Sequence, residues 1–248
     1  MVRHIDLKNA KNLQSITEFL AGNGGIQTKT VIRNRLDLSD TDVWPAINYG
    51  EEVGCLKAEG QGYYKLKKGF TIAEENFYPA VNDALKNLWA NEKWKKDQYY
   101  IEETARKDSK IAGRWTRPDL TMISHRKYPW TIGQEFDVVT FEVKRPDTCN
   151  VLAVFEALSH RSAATRAYVV FPVNAKEWSK NEPEQEVRVM EECTRHGVGL
   201  IFVENIYEDP KPVHVIKAQK HEIDHERCSA FLDAVISKEG LQKISMWK

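Results

Sequence analysis

The start of the chain carries three successive runs of apolar residues at helical spacing, followed by a short segment of strand character. The first run covers residues 13–20, the second covers residues 28–35, and the third begins at a cap formed by Ser39 or Asp40. Residues 56–66 then hold two short β-forming stretches separated by glycines, which is typical of a hairpin. The pattern therefore predicts three helices followed by a small hairpin.

That order of elements is the plan of a winged helix-turn-helix module, which we expect over residues 1–69. The third helix of such a module enters the major groove of DNA, where lysines and arginines contact phosphates. Here the third helix carries four acidic residues, Asp40, Asp42, Glu51 and Glu52, and no lysine or arginine. The sequence therefore leaves two roles open for this module, namely DNA contact, and packing or dimerisation.

From residue 70 onward, helical and strand patterns alternate. A helix that Thr71 can cap carries an apolar stripe up to Trp89, and three strand-like segments follow it. The predicted strands cover residues 99–103, 119–124, 135–144, 167–171, 198–203 and 213–217, and the predicted later helices cover residues 150–162, 186–195 and a stretch after Asp224. The core order of helix, three strands, helix and strand predicts an α/β domain over residues 70–248.

Composition narrows the class of protein. The 248-residue chain is 42% hydrophobic and 29% charged, which supplies a core and excludes a disordered or collagen-like chain. No apolar run approaches the roughly 20 residues of a membrane helix, so we expect a cytoplasmic protein without a membrane partner. The formal net charge is zero, so a polyanionic partner would have to bind a local basic surface. The four cysteines lack zinc-binding spacing and are expected to be reduced thiols: Cys55, Cys149, Cys193 and Cys228.

Charged residues on neighbouring predicted strands form the main candidate for chemistry. Glu142 and Lys144 lie two positions apart in a strand, so their side chains share a face while Val143 points to the other. Asp119 can supply a second carboxylate from the neighbouring strand. Two carboxylates that lie close together repel each other unless a cation lies between them, and an all-oxygen site suits Mg²⁺ or Mn²⁺. With Lys144 to stabilise charge on a phosphoryl oxygen, these residues predict metal-assisted hydrolysis of a phosphodiester.

Pro118-Asp119 and the later Glu142-Val143-Lys144 fall on the predicted strands in the order typical of the PD-(D/E)xK nucleases, whose core runs helix, three strands, helix, strand. The chain resembles this restriction-endonuclease-like superfamily, and as a whole it is similar to the HrgA-like group of bacterial proteins, which join a winged-helix region to a restriction-like domain. The similar segments are Glu75–Pro79 (ENFYP), Trp115–Leu120 (WTRPDL), Phe141–Lys144 (FEVK), Phe155–His160 (FEALSH), His196–Ile201 (HGVGLI) and Glu222–Asp224 (EID). The resemblance implies a restriction-endonuclease-like core preceded by a small winged-helix domain.

The resemblance also implies roles for the residues of the motif. Asp119 and Glu142 would bind Mg²⁺, with Mn²⁺ as an alternative, and the carbonyl of Val143 would be a further oxygen ligand. Lys144 would position or activate water for in-line attack. The products implied by the family carry 5′-phosphate and 3′-hydroxyl ends.

In this superfamily a glutamate of the first helix often joins the metal site, and Glu74 or Glu75 occupies that place. We prefer Glu74, because it shares a helical face with Tyr78 and Val81. The alternative is that both are acidic residues in the first turn of a helix, where the helix dipole favours them.

The helix after the second motif carries Glu156 and His160, which lie four residues apart and so share one face. Related nucleases often carry Gln-x-x-x-Tyr here, and this sequence departs from that pattern. In the functional interpretation Glu156 orients Lys144 or the metal-bound water, and His160 contacts a phosphate. The alternative is a partly buried, hydrogen-bonded pair within one helix.

A basic segment leads directly to Asp119 and is the strongest local signal for nucleic acid. Its predicted phosphate contacts are Arg106, Lys107, Lys110, Arg114 and Arg117. The alternative is a solvated surface hairpin.

The residues predict metal-assisted cleavage of a phosphodiester, and the resemblance implies a Mg²⁺-dependent endonuclease, with DNA favoured over RNA, that acts in restriction or phage defence. Two alternatives stay open: a non-catalytic winged-helix protein for DNA binding or assembly with an inactive nuclease fold, and an RNA-directed defence nuclease. A homodimer is expected because an enzyme that cuts both strands of a duplex usually needs two active sites.

Overall fold

A computed structural model of the chain describes residues 6–105, 117–222 and 224–247. The polypeptide forms two compact units, Met1–Asn76 and Phe77–Lys248. The division therefore falls after Asn76, whereas the boundary expected from the sequence lies after residue 69.

The described residues of the first unit form three helices and a three-stranded antiparallel sheet. These elements are α1 (Leu7–Gly22), β1 (Ile26–Thr28), α2 (Lys29–Arg35), α3 (Asp40–Glu52), β2 (Leu56–Ala58) and β3 (Tyr63–Leu66). Both β1 and β2 pair with β3, so the sheet order is β1-β3-β2. The three predicted helices and the hairpin are confirmed, and β1 is an addition, because three residues are too few to show a strand pattern.

Side-chain caps begin the second and third helices, and the cap of the third helix is Ser39, one of the two residues that the sequence predicts. The Thr28 hydroxyl accepts a hydrogen bond from the Val31 amide at 3.3 Å, and the Ser39 hydroxyl accepts one from the Asp42 amide at 3.2 Å. The apolar stripes of the helices meet in one core, which includes Leu13, Ile16, Leu20, Ile32, Val43, Ile47 and Leu56. Capping and apolar spacing together account for this unit.

The acidic start of α3 forms ion pairs with cations of the preceding helices. The Asp40 carboxylate lies 3.3 Å from Lys29 Nζ and 3.0 Å from a guanidinium nitrogen of Arg33. The Asp42 carboxylate lies 2.8 Å from Lys8 Nζ. These three cations thus contact carboxylates of the helix that a winged module would present to phosphates.

The described residues of the second unit form a six-stranded mixed sheet flanked by helices. The elements are α4 (Tyr78–Asn91), β4 (Tyr99–Glu103), β5 (Leu120–Arg126), β6 (Glu135–Val143), α5 (Leu152–Ser159), β7 (Arg166–Phe171), α6 (Ala175–Asn181), α7 (Pro183–His196), β8 (Gly199–Glu204), β9 (Lys211–Ile216), α8 (His225–Val235) and α9 (Lys238–Ser245). The strands lie in chain order; β4, β5 and β6 are antiparallel, β6, β7 and β8 are parallel, and β9 is antiparallel to β8. The predicted α/β class is confirmed, and α6 and α9 are additions to the predicted pattern.

The first helix of this domain begins later than the sequence predicts. A separate 3₁₀ turn covers Glu74–Asn76, and α4 begins at Tyr78. Pro79 lies in the first turn of α4, the place in a helix where a missing amide hydrogen is tolerated. The predicted continuous helix from Thr71 is therefore wrong, because a proline at position 79 favours a helix that starts just before it.

The two faces of β6 pack against different helices. Phe141 is fully buried, and its ring packs edge-on against Trp89 of α4 with 5.6 Å between the centroids. Glu142, the next residue, points to the opposite face, where it contacts His160 at the end of α5. The strand thus carries a hydrophobic contact on one face and a charged side chain on the other.

All four cysteines are free and buried. Within residues 6–105, 117–222 and 224–247, no helix has the length and apolar character needed to cross a membrane.

Candidate active site

Asp119 is held beside the end of β6 by both oxygens of its carboxylate. Its Oδ2 accepts a hydrogen bond of 2.8 Å from the backbone amide of Val143, the residue between Glu142 and Lys144. Its Oδ1 accepts a hydrogen bond of 2.5 Å from the hydroxyl of Tyr78 on α4. Asp119 is 7% exposed, so these donors replace much of the water that would solvate a surface carboxylate.

The backbone on either side of Asp119 is also fixed. The Asp119 amide donates to the Phe141 carbonyl at 3.1 Å, and its own carbonyl accepts from the Thr104 amide at 2.8 Å. The hydroxyl of Thr104 donates to the Pro118 carbonyl at 2.7 Å. The segment before β5 is thereby joined to both neighbouring strands, which orients the Asp119 side chain.

Glu142 accepts hydrogen bonds from two cationic or potentially cationic groups. Lys144 Nζ donates to its Oε1 at 2.6 Å, and His160 Nε2 lies 3.1 Å from its Oε2. Burial of Glu142 opposes ionisation and is the largest single influence on its pKa, but the hydrogen bond from His160 and the charge of Lys144 together outweigh it. The pKa of Glu142 is therefore held below its usual value, and the carboxylate stays ionised.

Lys144 lies between two carboxylates. Besides its hydrogen bond to Glu142, its Nζ is 2.5 Å from Oε2 of Glu156 on α5. Among the described residues, that Oε2 atom, which is buried, has no hydrogen-bond partner, so its contact with Lys144 is an ion pair rather than an aligned hydrogen bond. Only 14% of the Lys144 side chain is exposed, and the ammonium is thus held in place by attraction from both sides.

His160 completes the network from the 3₁₀ turn that follows α5, and it is 4% exposed. An ionised carboxylate can only accept a hydrogen bond, so Nε2 must carry the proton that points at Glu142. The other ring nitrogen, Nδ1, is buried without a hydrogen-bond partner in the described part of the chain. His160 therefore acts as a donor to Glu142 and leaves one buried polar atom unsatisfied.

The oxygen donors of this cluster are of the type that a hard divalent cation binds, although the described side chains do not have the arrangement of a metal site. In the part of the chain that the structure describes, three carboxylates, those of Asp119, Glu142 and Glu156, lie in the network around the ammonium of Lys144. Mg²⁺ prefers oxygen ligands and is usually held by one or two carboxylates together with water. Among the residues that the structure describes, no group of three or more His, Cys, Asp or Glu side chains has the arrangement of a metal site.

The structure brings five of the predicted site residues into one network: Asp119, Glu142, Lys144, Glu156 and His160. Glu74 belongs to the first unit, in the turn Glu74–Asn76, and its role as a metal ligand stays a prediction. The Val143 amide donates to Asp119, and its carbonyl as a metal ligand likewise stays a prediction.

Of the five predicted phosphate contacts, only Arg117 lies within the described residues. Its guanidinium donates to the Ala105 carbonyl at 3.1 Å. The other four, Arg106, Lys107, Lys110 and Arg114, lie outside the described residues.

Tyr78 is a site residue that the sequence pattern did not identify as one. It lies in the apolar stripe of α4 and reads as a core residue, and it is indeed buried at 5% exposure. A buried tyrosine hydroxyl needs a hydrogen-bond partner. A tyrosine in the apolar stripe of this helix was therefore the one feature of the sequence that indicated a buried polar contact here.

Asp137 on β6 forms a separate buried cluster. Its carboxylate accepts a hydrogen bond of 2.7 Å from the Thr165 hydroxyl, and it lies 3.2 Å from Lys220 Nζ and 3.4 Å from Arg166 Nε. An odd separation from Glu142 places it on the other strand face. Asp137 is thus about as buried as Asp119, with 5% exposure against 7%, but it lies outside the network around Lys144.

Comparison with known proteins gave no assignment: no protein-family model matches this chain, and no curated protein is significantly similar to it.

Proposed function

We propose that the protein is a metal-dependent nuclease that hydrolyses phosphodiester bonds in DNA. The observation that carries this proposal is the position of Lys144, whose ammonium lies between the carboxylates of Glu142 and Glu156, while Asp119 is bonded to the intervening backbone amide. This arrangement suits metal-assisted phosphoryl chemistry, in which carboxylates bind the metal ion and an ammonium offsets charge on the phosphoryl group.

The order of elements supports the nuclease class. In the second unit α4, the antiparallel strands β4 to β6, α5 and the parallel strand β7 follow one another as in a restriction-endonuclease-like core. In the first unit three helices and a three-stranded sheet follow the plan of a winged helix. We therefore interpret the chain as a winged-helix module joined to a nuclease domain of the HrgA-like group, with a role in restriction or phage defence.

Asp119 and Glu142 would hold Mg²⁺ or Mn²⁺, with the Val143 carbonyl as a further oxygen donor. When bound, the cation supplies Lewis-acid activation of the phosphodiester and of the attacking water. The role of Tyr78 is to orient Asp119, and the role of His160 is to keep Glu142 ionised and oriented by its hydrogen bond.

In the proposed reaction Lys144 donates a hydrogen bond to the attacking water or to a phosphoryl oxygen. Glu156 contacts the same ammonium at 2.5 Å. During hydrolysis the water oxygen bonds to phosphorus, the bond to the 3′ oxygen breaks, and a proton from water ends on that leaving oxygen. A fixed ammonium at this point offsets the negative charge that develops on the phosphoryl group.

A non-catalytic role in DNA binding or assembly is the alternative that this geometry also accommodates, because the ion pairs of Glu142, Lys144 and Glu156 satisfy one another without a substrate. An RNA substrate is the alternative within the nuclease class. A duplex cutter would act as a homodimer with two such sites.

A cleavage assay separates these functions. Purified protein is incubated with plasmid, single-stranded DNA and RNA in Mg²⁺, Mn²⁺ or EDTA, beside an Asp119→Asn variant. The proposal expects cutting of DNA that requires the metal ion and is lost in Asp119→Asn.

The matched control is Asp137→Asn, which alters an equally buried aspartate in the cluster with Lys220. We expect Asp137→Asn to retain cleavage. Absence of cutting by the wild-type protein on every substrate and with both metals, together with salt-sensitive DNA binding, would establish the non-catalytic alternative instead.

A further inference from the structure

The most exposed large apolar side chains in the described part of the chain lie at the tip of the β5–β6 hairpin. Trp130 is 95% exposed and Ile132 is 107% exposed, whereas Tyr128 beside them is 42% exposed. A soluble protein rarely leaves a tryptophan and an isoleucine together in water unless they meet a ligand or partner. The hairpin tip is therefore a candidate contact surface.

The backbone presents Trp130 on a defined turn. The Thr131 amide donates to the Tyr128 carbonyl at 3.4 Å, and Pro129 occupies the second position of the turn, where its fixed φ is favoured. Trp130 follows it at the third position. An aromatic side chain on such a turn loses little conformational entropy when it binds.

A second segment packs against the base of this hairpin. The His125 amide donates to the Gln98 carbonyl at 2.9 Å. The Arg126 guanidinium lies 4.9 Å from the ring centroid of Trp94 and 5.6 Å from that of Tyr128. We call residues 92–98 and 125–132 together the hairpin-tip surface.

Cations interleave with the aromatic side chains of this surface. Four lysines on it are exposed and form no ion pair with any described residue: Lys93, Lys95, Lys96 and Lys127. Of the nearby acids, Glu92 pairs with Lys217 at 3.2 Å and with His214 at 3.0 Å, both outside the surface. Asp97 is the one exposed acid that remains against these lysines. The surface thus combines stackable rings with accessible positive charge.

We propose that the hairpin-tip surface binds an unpaired stretch of nucleic acid, with a base stacked on Trp130 and phosphates contacting the lysines. Stacking on aromatic rings within a cationic surface is how single strands are bound without sequence preference. An anionic lipid surface would also attract lysines beside exposed rings, so the vesicle experiment below distinguishes it from nucleic acid. The inference rests on the proposed nuclease function for its choice of ligand.

The position of the surface gives it a role relative to the candidate site. Asp119 precedes β5 and the hairpin tip follows it, so the strand separates the two by about 26 Å, or roughly eight stacked nucleotides. β5 itself is largely buried, so a substrate strand would have to leave the site over the surface, in the direction of β5, to reach the tip. The surface would then hold the strand at a distance from the bond that is cut.

Fluorescence anisotropy measures the binding of the full chain to a fluorescein-labelled single-stranded DNA of 20 nucleotides or to its duplex. EDTA is present, so that no cleavage occurs. We expect Trp130→Ala to weaken single-strand binding about tenfold, and Trp130→Phe to restore most of it. The plot of log K against log salt has a negative slope. In the combined Lys95→Ala and Lys96→Ala variant the magnitude of that slope should fall by about 1.4, because two phosphate contacts are lost. Val187→Ala, which truncates an exposed side chain on α7, is the control and should bind as wild type does.

Equal affinity of wild type and Trp130→Ala for the single strand would overturn the inference. So would a result in which Trp130 is needed for binding to anionic lipid vesicles, or for self-association, but not for binding to DNA. These results are independent of the proposed function. Metal-dependent cleavage with Trp130-independent binding refutes the surface alone, whereas Trp130-dependent binding without any cleavage refutes the nuclease alone.

Discussion

The hydroxyl of Tyr78 donates a hydrogen bond of 2.5 Å to the Asp119 carboxylate, across 41 residues of sequence, and both side chains are buried. Because the other oxygen of Asp119 is bonded to the Val143 amide, the carboxylate has little freedom to rotate. A residue of α4 thus determines the orientation of Asp119, which precedes β5 and which we assign to metal binding. Hydrogen bonds to a ligand from outside the coordination sphere commonly tune metal affinity.

The substitution Tyr78→Phe removes this hydroxyl and keeps the ring. We expect cleavage to fall about ten- to a hundredfold and half-maximal activity to require more Mg²⁺, because Asp119 loses the donor that orients it. Initial rates over a Mg²⁺ titration measure both effects.

Tyr99→Phe is the matched control, since the Tyr99 hydroxyl donates at 3.1 Å to the Lys86 carbonyl, away from Asp119. It should leave the Mg²⁺ requirement unchanged. A similar change in both variants would show that Tyr78 has only a structural role.

Lys144→Ala should lower the cleavage rate about 10²- to 10³-fold, because it removes the ammonium that would offset charge on the phosphoryl group. It also leaves the carboxylates of Glu142 and Glu156 without their shared cation. We therefore expect a loss of about 3 kcal/mol in unfolding free energy as well. Single-turnover cleavage and urea unfolding measure the two effects separately.

The chain offers a matched lysine for this experiment. Lys220 also lies between two carboxylates, 2.8 Å from Glu135 and 3.2 Å from Asp137. Lys220→Ala should cleave at the wild-type rate. If both variants lose activity in proportion to their loss of stability, Lys144 has no specific role.

Local patterns in the sequence predict most of the fold and part of the site. The run from Glu135 is strongly β-forming and its strand appears as expected, because β-branched and aromatic residues dominate it. The alternation of a strand likewise predicts that Glu142 and Lys144 meet, and helical spacing predicts that Glu156 and His160 share a face. Each of these relationships depends on residues within a few positions of one another.

The rest of the site depends on long-range packing. The seating of α5 against β6 brings Glu156 to Lys144 and His160 to Glu142, and no local spacing encodes that choice of partners. The start of α4 at Tyr78 depends on Pro79, and it determines which hydroxyl reaches Asp119. Such contacts join elements that are distant in sequence, so they can be identified only from the three-dimensional structure.

Cys193 should be unreactive in the folded protein. Burial, aided by the charge of Glu192, raises the pKa of its thiol to about 12, so very little thiolate is present at pH 8. We expect iodoacetamide at pH 8 to leave Cys193 unmodified in native protein and to modify it fully in guanidinium chloride, as peptide mass spectrometry would show. Rapid modification of Cys193 in native protein would contradict its burial in the hydrophobic core, where it lies on the inner face of α7.

Glu142 should make a pH-dependent contribution to stability. Burial opposes its ionisation, but His160 and Lys144 outweigh burial and lower its pKa in the folded state. A carboxyl group whose folded pKa is lowered adds stability above its unfolded pKa, about 4.3, and loses that stability as pH falls through the folded pKa. The difference in unfolding free energy between wild type and Glu142→Gln should therefore be constant above about pH 5.5 and shrink below about pH 4.3.

Urea unfolding at several pH values measures this difference, with Val187→Ala, which changes no ionisable group, as the control. Parallel pH profiles for wild type and Glu142→Gln would mean that the ion pairs of Glu142 do not shift its pKa on folding.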